Sequence, residues 1–330
     1  MSRVNGTPMS LRRLRQNAHL RELTREVRVG VEQLIQPLFV VENIQDRETI
    51  PGLTGVYRET SQSLLKQVEQ DLEAGVRKFL LFGVPGKKGG TQFSHDFTAH
   101  QISALKKQFG HDLFLAVDVC LCSSTEHGQC GILNPEGDHL ENGKTVRELA
   151  QQALQFAQAG ADCVAPSDMM DGRVGAIRQA LDEAGLERTL ILSYSAKFHS
   201  RFYGPFRVAA DSAPKGAVKL RDRATYQIDP ARPKDALLSS LRDVDEGADL
   251  LMVKPGMPYL DVLAQLSKEI PLPWAVYEVS GEYAAIELMA EKGLISARDA
   301  HLEAWTAFVR AGASMIITYG ARSARDWLKF

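Results

Sequence analysis

Three of the four cysteines in this 330-residue chain lie on one short segment, at Cys120, Cys122 and Cys130. The segment is polar, and three thiolates leave one position of a tetrahedral zinc ion open, which is the arrangement of a catalytic zinc site. We therefore predict that these cysteines bind a catalytic Zn²⁺ rather than forming a group of buried thiols. His127, within the same segment, is expected to hydrogen-bond a ligand or to lie at the surface, although it could be a fourth ligand. Cys163 lies in an apolar run and is expected to belong to the core.

Two lysines follow apolar runs that are typical of buried strands. Lys197 comes shortly after residues 190–193, and Lys254 comes directly after residues 250–253. If these runs are neighbouring strands, the two amines lie close together at one end of the sheet. Repulsion between two ammonium groups and desolvation by apolar walls both lower a lysine pKa, and a neutral amine attacks a carbonyl to give a Schiff base. The alternative is that each lysine pairs with a carboxylate; the presence of both beside the cysteine segment favours catalysis.

Further polar residues follow other apolar runs. Ser280 offers a hydroxyl and a helix N-terminus, both suited to a carboxylate, and Tyr319 offers a phenol. Asp118 and Ser167 are candidates for an acid or base, or for structural contacts beside the reacting groups. These residues extend the predicted site beyond the lysines and the cysteines.

A long segment, 195–232, exceeds an ordinary loop between a strand and a helix and contains glycine and proline. Such a segment can act as a lid that excludes water from a site. Its Arg207 and Arg223 could clamp a carboxylate through paired hydrogen bonds, although a single arginine is more often a solvated surface residue.

Eight short, almost continuously apolar runs must position these residues. Such runs suit strands that are buried on both faces of a parallel sheet. We predict strands at 35–41, 78–83, 113–119, 162–165, 189–193, 249–253, 274–279 and 314–318. Helical periodicity between them predicts helices at 60–74, 98–109, 145–159, 172–184, 234–246, 259–268, 282–292 and 299–311.

A repeated glycine marks the junctions between these helices and strands. At four of them the glycine is expected to take a positive φ just past the helix end: Gly75, Gly160, Gly247 and Gly312. Eight strands that alternate with helices favour a (β/α)₈ TIM barrel over an open doubly wound sheet, and no G-x-G-x-x-G follows the first strand. Chemistry in such barrels lies at the C-terminal ends of the strands, where we expect one rim to gather Asp118, Cys120, Ser167, Asp168, Ser195, Lys197, Lys254, Ser280 and Tyr319.

The composition agrees with a cytoplasmic enzyme. A net charge of −2 gives no indication of a nucleic-acid or membrane partner, and no apolar run is long enough to span a bilayer. Four cysteines are too few for a disulfide framework, which points to a reducing compartment. The N-terminus has no signal-peptide pattern, and its arginine-rich residues 1–20 are expected to form a solvated arm rather than a transit peptide.

Several stretches of the sequence resemble one enzyme family. The stretches 194–198, 202–207 and 252–261, which read YSAKF, FYGPFR and MVKPGMPYLD, resemble porphobilinogen synthase, also called 5-aminolevulinate dehydratase. So do APSDMMDGR at 165–173 and YEVSGE at 277–282.

The resemblance implies a TIM-barrel catalytic domain at 33–330 and an N-terminal arm at 1–32, assembled as a homo-octamer from arm-exchanged dimers. It implies that two 5-aminolevulinate molecules condense to porphobilinogen with loss of two waters, in haem biosynthesis. Lys254 would bind the first molecule, whose carboxylate meets Ser280 and Tyr319. Lys197 would bind the second, whose carboxylate meets Arg207, Arg223 and Gln227.

The resemblance also bears on metals. Cys120, Cys122 and Cys130 match the zinc-dependent branch of the family, whereas other branches carry aspartates here and use magnesium. Many bacterial members hold an allosteric Mg²⁺ with a glutamate in the helix before the sixth strand. This chain has serines at 239–240, which argues against magnesium activation.

Two other functions fit parts of the pattern. A Schiff-base aldolase on the same barrel needs one lysine and no zinc segment. A non-catalytic zinc-binding assembly protein needs a fully coordinated metal and forms no imine. The second lysine motif favours the dehydratase over the aldolase, and a metal assay with a turnover assay for pyrrole formation separates all three.

Overall fold

The computed structural model describes residues 11–215 and 219–328. The predicted arm therefore includes ten residues, 1–10, and the predicted lid includes three, 216–218, that lie outside the described part. Within the described part the strands are β1 (Leu34–Val41), β2 (Glu48–Ile50), β3 (Leu53–Glu59), β4 (Lys78–Val84), β5 (Phe114–Val119), β6 (Cys163–Pro166), β7 (Leu190–Lys197), β8 (Leu250–Lys254), β9 (Trp274–Tyr277) and β10 (Met315–Ile317).

Eight of these strands close into a parallel barrel. Strand β1 pairs with β4, and each strand from β4 to β9 pairs with the next one in the sequence. Strand β10 then pairs with β1 through Leu34 and Ile316, which closes the barrel. The eight predicted strands are these eight, so the predicted TIM barrel is confirmed and the open doubly wound sheet is wrong.

The hairpin of β2 and β3 was not predicted. Strand β10 is short and pairs only with the start of β1, so β3 adds to the same edge further along, at Phe39 and Val40. Most residues of β3 are not buried, and its sequence lacks the continuous apolar run that identified the barrel strands.

The helices lie between the strands as predicted, with shifts of up to three residues at their ends. They are α1 (Ala18–Leu23), α2 (Ser61–Glu73), α3 (Asp96–Phe109), α4 (Asn142–Gln158), α5 (Arg173–Glu183), α6 (Gly204–Ala209), α7 (Pro233–Asp245), α8 (Leu260–Glu269), α9 (Ser280–Glu291), α10 (Ala297–Arg310) and α11 (Ala324–Trp327). Helices α1, α6 and α11 were not predicted, because four to six residues are too few to show a helical period. No helix of the described part has the length and apolar composition to cross a membrane.

The four junction glycines adopt the conformation that the sequence predicts. Gly75, Gly160, Gly247 and Gly312 have φ between 91° and 110°. At each junction the next residue's N–H bonds back to a carbonyl five positions earlier, as Val76 does to Asp71. This helix ending turns the chain sharply into the following strand.

Alternate residues of each barrel strand face two separate cores. In β4, Leu80 and Phe82 fill the barrel interior, whereas Phe79 and Leu81 pack against the outer helices. Burial on both faces explains why the strands are almost continuously apolar.

Candidate active site

The two lysines lie side by side at the C-terminal mouth of the barrel. They end β7 and β8 and are paired in register, Lys197 opposite Lys254. The pairing slips between Ser193 and Ala196, and this bulge turns Lys197 back towards the interior after Tyr194. The nitrogens of Lys197 and Lys254 lie 5.5 and 5.0 Å from the centre of the Tyr194 ring, so the predicted proximity of the two amines is confirmed.

Lys254 is buried within an aromatic enclosure. Its Nζ lies 4.0 Å from the Tyr277 ring centre and 4.9 Å from that of Phe206. Burial, and secondly the charge of Lys197, hold the pKa of Lys254 well below its ordinary value. Ring faces favour an ammonium by about 1–2 kcal/mol, but desolvating it costs several kcal/mol, so the neutral amine is favoured.

Lys197 has polar surroundings. Its amine donates a hydrogen bond to the carbonyl of Ser167, and Oδ1 of the neighbouring Asp118 is buried without a hydrogen-bond partner. Burial and the charge of Cys122 raise the pKa of Asp118 to about 7, against the opposing effect of Lys197. Within the described part of the chain neither lysine forms an ion pair with a carboxylate, so the alternative reading of two rim ion pairs is wrong.

The three cysteines of the polar segment converge after β5. The sulfurs of Cys120, Cys122 and Cys130 all lie within 4.8 Å of one another, and the three residues are buried. Hydrogen bonds from the other two thiols, with the charge of Arg223, hold the pKa of Cys130 well below its usual value. Among the residues at 11–215 and 219–328, this is the only cluster of three or more His, Cys, Asp or Glu side chains placed to hold a metal.

The cysteine segment is tied to the lid by residues that the sequence did not single out. Tyr226 accepts a hydrogen bond from the backbone N–H of Cys130 (3.3 Å) and donates one to Gln129 (2.8 Å). Gln129 in turn donates to the carbonyl of Leu220. No local pattern reveals these contacts, because they join positions more than 90 residues apart.

A second group beside the lysines has unpaired polar atoms. Nε of Arg207, Nε of Arg223 and both amide atoms of Gln227 are buried without a hydrogen-bond partner. Burial and the charge of Arg223 lower the pKa of Arg207. Arg223 is anchored by donating to the carbonyls of Gly128 and Ser212. Buried polar atoms are normally paired, so this set suits an anionic ligand such as a carboxylate.

Ser280 and Tyr319 lie on the other side of Lys254. Ser280 begins α9, and its hydroxyl accepts a hydrogen bond from the N–H of Phe206 at 3.0 Å. The Tyr319 hydroxyl meets that of Tyr277 at 3.2 Å, which brings it next to the ring nearest Lys254.

Glu282 links the chain that follows Lys254 to the start of α9. Its buried carboxylate accepts hydrogen bonds from the backbone of Val279 and Met257, both at 2.6 Å, and burial raises its pKa to about 8. The sequence showed this residue only as part of a motif and gave no indication of the cross-link.

Two residues expected at the rim face elsewhere. Ser195 accepts a hydrogen bond from Ser240 and so points to α7, because side chains alternate along β7 and the preceding Tyr194 faces inward. Asp168 turns back to the N–H of Met170 and lies 3.6 Å from Arg173. Both are buried contacts that support the barrel wall.

Cys163 and His127 are not part of the cluster of three cysteines. Cys163 is buried in the barrel interior, as predicted. Nδ1 of His127 accepts a hydrogen bond from the N–H of Gln129, and burial lowers the His127 pKa. It lies outside the cysteine cluster, which agrees with a supporting role better than with a fourth ligand.

Comparison with known proteins relates this chain to one enzyme family. A family model described as Delta-aminolevulinic acid dehydratase matches residues 9–327. The Delta-aminolevulinic acid dehydratase of Helicobacter pylori is 44% identical, over 97% of this chain and 98% of its own, and that of Bacillus subtilis is 41% identical over 96% and 97%. A crystal structure of the Toxoplasma gondii delta-aminolevulinic acid dehydratase (porphobilinogen synthase), in complex with the reaction product porphobilinogen, superposes with a TM-score of 0.92 at 41% identity, over 98% of this chain and 92% of that one. The chain therefore belongs to the delta-aminolevulinic acid dehydratase family.

Proposed function

We propose that this chain is a hydro-lyase that condenses two molecules of 5-aminolevulinate to porphobilinogen, in tetrapyrrole biosynthesis, with Lys197 and Lys254 as Schiff-base residues. The observation that carries the proposal is the in-register pair of buried amines at the barrel mouth, neither of them held by a carboxylate. Each amine attacks the ketone carbon of one substrate, and a water leaves as the imine forms. Over the whole reaction two waters are lost and both lysines are regenerated.

The two lysines bind different substrate molecules. At Lys254 the aromatic walls exclude water, and Ser280 and Tyr319 receive the carboxylate of the first molecule. At Lys197 the unpaired atoms of Arg207, Arg223 and Gln227 receive the carboxylate of the second. Holding two small molecules in a reactive arrangement contributes about 7–11 kcal/mol towards the barrier.

The cysteine cluster suits zinc. Three thiol ligands within 4.8 Å of one another are soft donors of the kind that zinc prefers over magnesium, and they leave one position open. Cys120, Cys122 and Cys130 would hold the ion, which would act as a Lewis acid towards a substrate oxygen or a bound water. Asp118 and Ser167, which lie beside Lys197, would accept or relay a proton.

Reductive trapping tests the assignment of the lysines. Sodium borohydride with 5-aminolevulinate should fix a covalent adduct on Lys254, located by peptide mass spectrometry, and Lys254→Met should abolish both the adduct there and product formation. Lys268, an exposed lysine on α8, supplies a control in Lys268→Met, which should leave both unchanged. An unmodified Lys254 in active, trapped enzyme would refute the assignment, and trapping without pyrrole formation would favour an aldolase-type reaction.

We further propose that the chain works as a cytoplasmic homo-octamer in which residues 1–32 form an arm that clasps a neighbouring copy and residues 33–330 form the catalytic domain. In support, three leucines on the described part of this arm, Leu11, Leu14 and Leu23, are 50–76% exposed and so are available for apolar contact with another copy. Light scattering of the full chain should give a mass of eight copies. Leu23→Asp should lower that mass, and a wild-type monomer would refute the assembly.

A further inference from the structure

A buried carboxylate behind the Ser280 and Tyr319 side of the mouth has no part in the chemistry above. Glu278 follows β9 and is fully buried. It accepts hydrogen bonds from Nδ1 of His301 (2.9 Å), from Nε1 of Trp305 (2.9 Å) and from the hydroxyl of Thr318 (2.6 Å). A carboxylate buried this deeply is costly unless such donors surround it, so the arrangement requires a structural or functional reason.

Thr318 connects Glu278 to Tyr319. Because the Thr318 hydroxyl donates its only proton to Glu278, its oxygen is turned to accept the N–H of Gly320 at 3.0 Å. That bond caps the helical turn that begins at Tyr319. The carboxylate therefore fixes the backbone on which the Tyr319 phenol is mounted.

Glu278 also lies between two other groups of the same side. It directly follows Tyr277, whose hydroxyl meets that of Tyr319, and it precedes Ser280 by two residues. Its own N–H bonds to the carbonyl of Ile317, the last residue of β10. One side chain thus joins the ends of β9 and β10 where the two predicted carboxylate-binding residues are mounted.

His301 supports Glu278 from α10. It hydrogen-bonds Glu278 on one nitrogen and Glu287 on the other (3.1 Å), and its ring stacks between Tyr283 and Trp327. Burial alone would lower the pKa of His301, but the two carboxylates raise it to about 9. At neutral pH the imidazole is therefore a cation that compensates the charge of Glu278. Tyr283, which stacks on His301, also contacts Tyr319, with 5.6 Å between the centres of the two tyrosine rings.

We propose that Glu278 is a positioning residue that, through Thr318 and with His301 as its counter-ion, holds Tyr319 and Ser280 in the geometry that binds the carboxylate of the substrate at Lys254. The inference rests on the proposed roles of Ser280 and Tyr319. It adds a residue that touches no substrate but sets how strongly the Lys254 side prefers an acid to a neutral analogue.

The experiment compares 4-oxopentanoate with its methyl ester. Both are ketones that form an imine with a lysine, but only the acid offers a carboxylate. Borohydride trapping, with mass spectrometry of the two lysine peptides, gives the concentration for half-maximal labelling at Lys254 and at Lys197 separately. Wild type should prefer the acid at Lys254, and Glu278→Gln should reduce that preference about tenfold, the effect of one misplaced hydrogen bond to a charged ligand.

Two internal controls separate positioning from general damage. Labelling by the ester at Lys254, and by the acid at Lys197, should change less than about twofold in Glu278→Gln, because neither depends on Tyr319 and Ser280. Glu287→Gln is the matched variant: it alters the other carboxylate on His301 without touching Thr318 or Trp305, and it should keep the preference for the acid.

Thr318 variants keep the test valid if Glu278→Gln folds poorly. Thr318→Val, of nearly the same shape, removes the hydroxyl and should lose the acid preference, whereas Thr318→Ser should retain it. Wild-type preference at Lys254 in both Glu278→Gln and Thr318→Val would overturn the inference. No preference for the acid at Lys254 in wild type would instead overturn the roles of Ser280 and Tyr319, and the inference with them.

Discussion

The two sides of the barrel mouth satisfy their polar atoms in different ways. On the aromatic side, which comprises Lys254, Tyr277, Phe206, Ser280 and Tyr319, the hydroxyls of Ser280, Tyr277 and Tyr319 already have partners within the protein. The amine of Lys254 faces ring carbons. This side is therefore fixed by bonds that the chain makes with itself.

The polar side, which comprises Lys197, the three cysteines, Arg207, Arg223 and Gln227, holds buried atoms that the protein leaves without a partner. Three thiols share one small volume, and the unpaired guanidinium and amide atoms lie nearby. Because such groups are costly when buried alone, this side is suited to charged ligands.

This contrast indicates a division of labour. The aromatic side can form an imine with the chain's own groups, whereas the polar side depends on a metal and on a second carboxylate. Loss of the metal or of the second carboxylate site should then stop product formation while leaving imine formation at Lys254 intact.

Removal of one zinc ligand should give the largest difference between product formation, which needs both sides, and imine formation at Lys254, which needs only the aromatic side. Cys122→Ala should lower zinc content and the rate of porphobilinogen formation together, the rate by at least about 100-fold, because two thiols hold zinc poorly. Trapping of 4-oxopentanoate at Lys254 should persist. Metal analysis, a turnover assay and peptide mass spectrometry measure the three quantities.

Cys163→Ala is the matched control for that variant. This cysteine is equally buried but lies in the barrel interior outside the cluster, so zinc and activity should remain. Full activity of a metal-free Cys122→Ala enzyme would remove zinc from the reaction and, with it, the contrast between the two sides.

On each side of the mouth, the residues that lie at the ends of strands could be predicted from the sequence. Lys254 and the cysteine segment could be placed because buried parallel strands appear as continuous apolar runs, and the residue after each run lies at the mouth. The order of the strands then made Lys197 and Lys254 neighbours. The carboxylate-binding residues came from the family motifs, since an isolated arginine or serine carries no such signal.

What the sequence could not show depends on contacts between distant positions. The aromatic enclosure combines Tyr194, Phe206 and Tyr277 from three separate elements, and each of them alone is typical of a core residue. The bulge in β7 is invisible in an apolar pattern, and it turns Lys197 inward although Ser195, two residues earlier, faces outward. The pairing of Tyr226 with Cys130 likewise exists only in the folded chain.

Loss of an arginine should have a smaller and more local effect. The guanidinium of Arg207 makes no hydrogen bond within the described part of the chain, so Arg207→Met removes a ligand contact and little else. The concentration of 4-oxopentanoate for half-maximal trapping at Lys197 should rise about 10- to 100-fold, as expected for a charged hydrogen bond, with little change at Lys254.

Arg201 provides a comparison on the same segment. It is exposed, and Arg201→Met removes the same charge without altering the pocket, so trapping at both lysines should match wild type. An equal loss at both lysines in Arg207→Met would mean that the two sides share one carboxylate site.

The smallest expected effect concerns a charge interaction between the two sides. The pKa of Lys254 is lowered first by burial and second by the charge of Lys197. In Lys197→Met only the second cause disappears, so the pKa of Lys254 should rise part of the way towards its ordinary value. At neutral pH a smaller fraction of the amine is then neutral, and trapping at Lys254 should slow there and recover in alkaline solution.

Lys197→Arg keeps a positive charge and should leave the pH dependence near that of wild type. An identical pH dependence in wild type and Lys197→Met would mean that burial lowers the pKa of Lys254 without a contribution from the charge of Lys197, the amine paired with it in register.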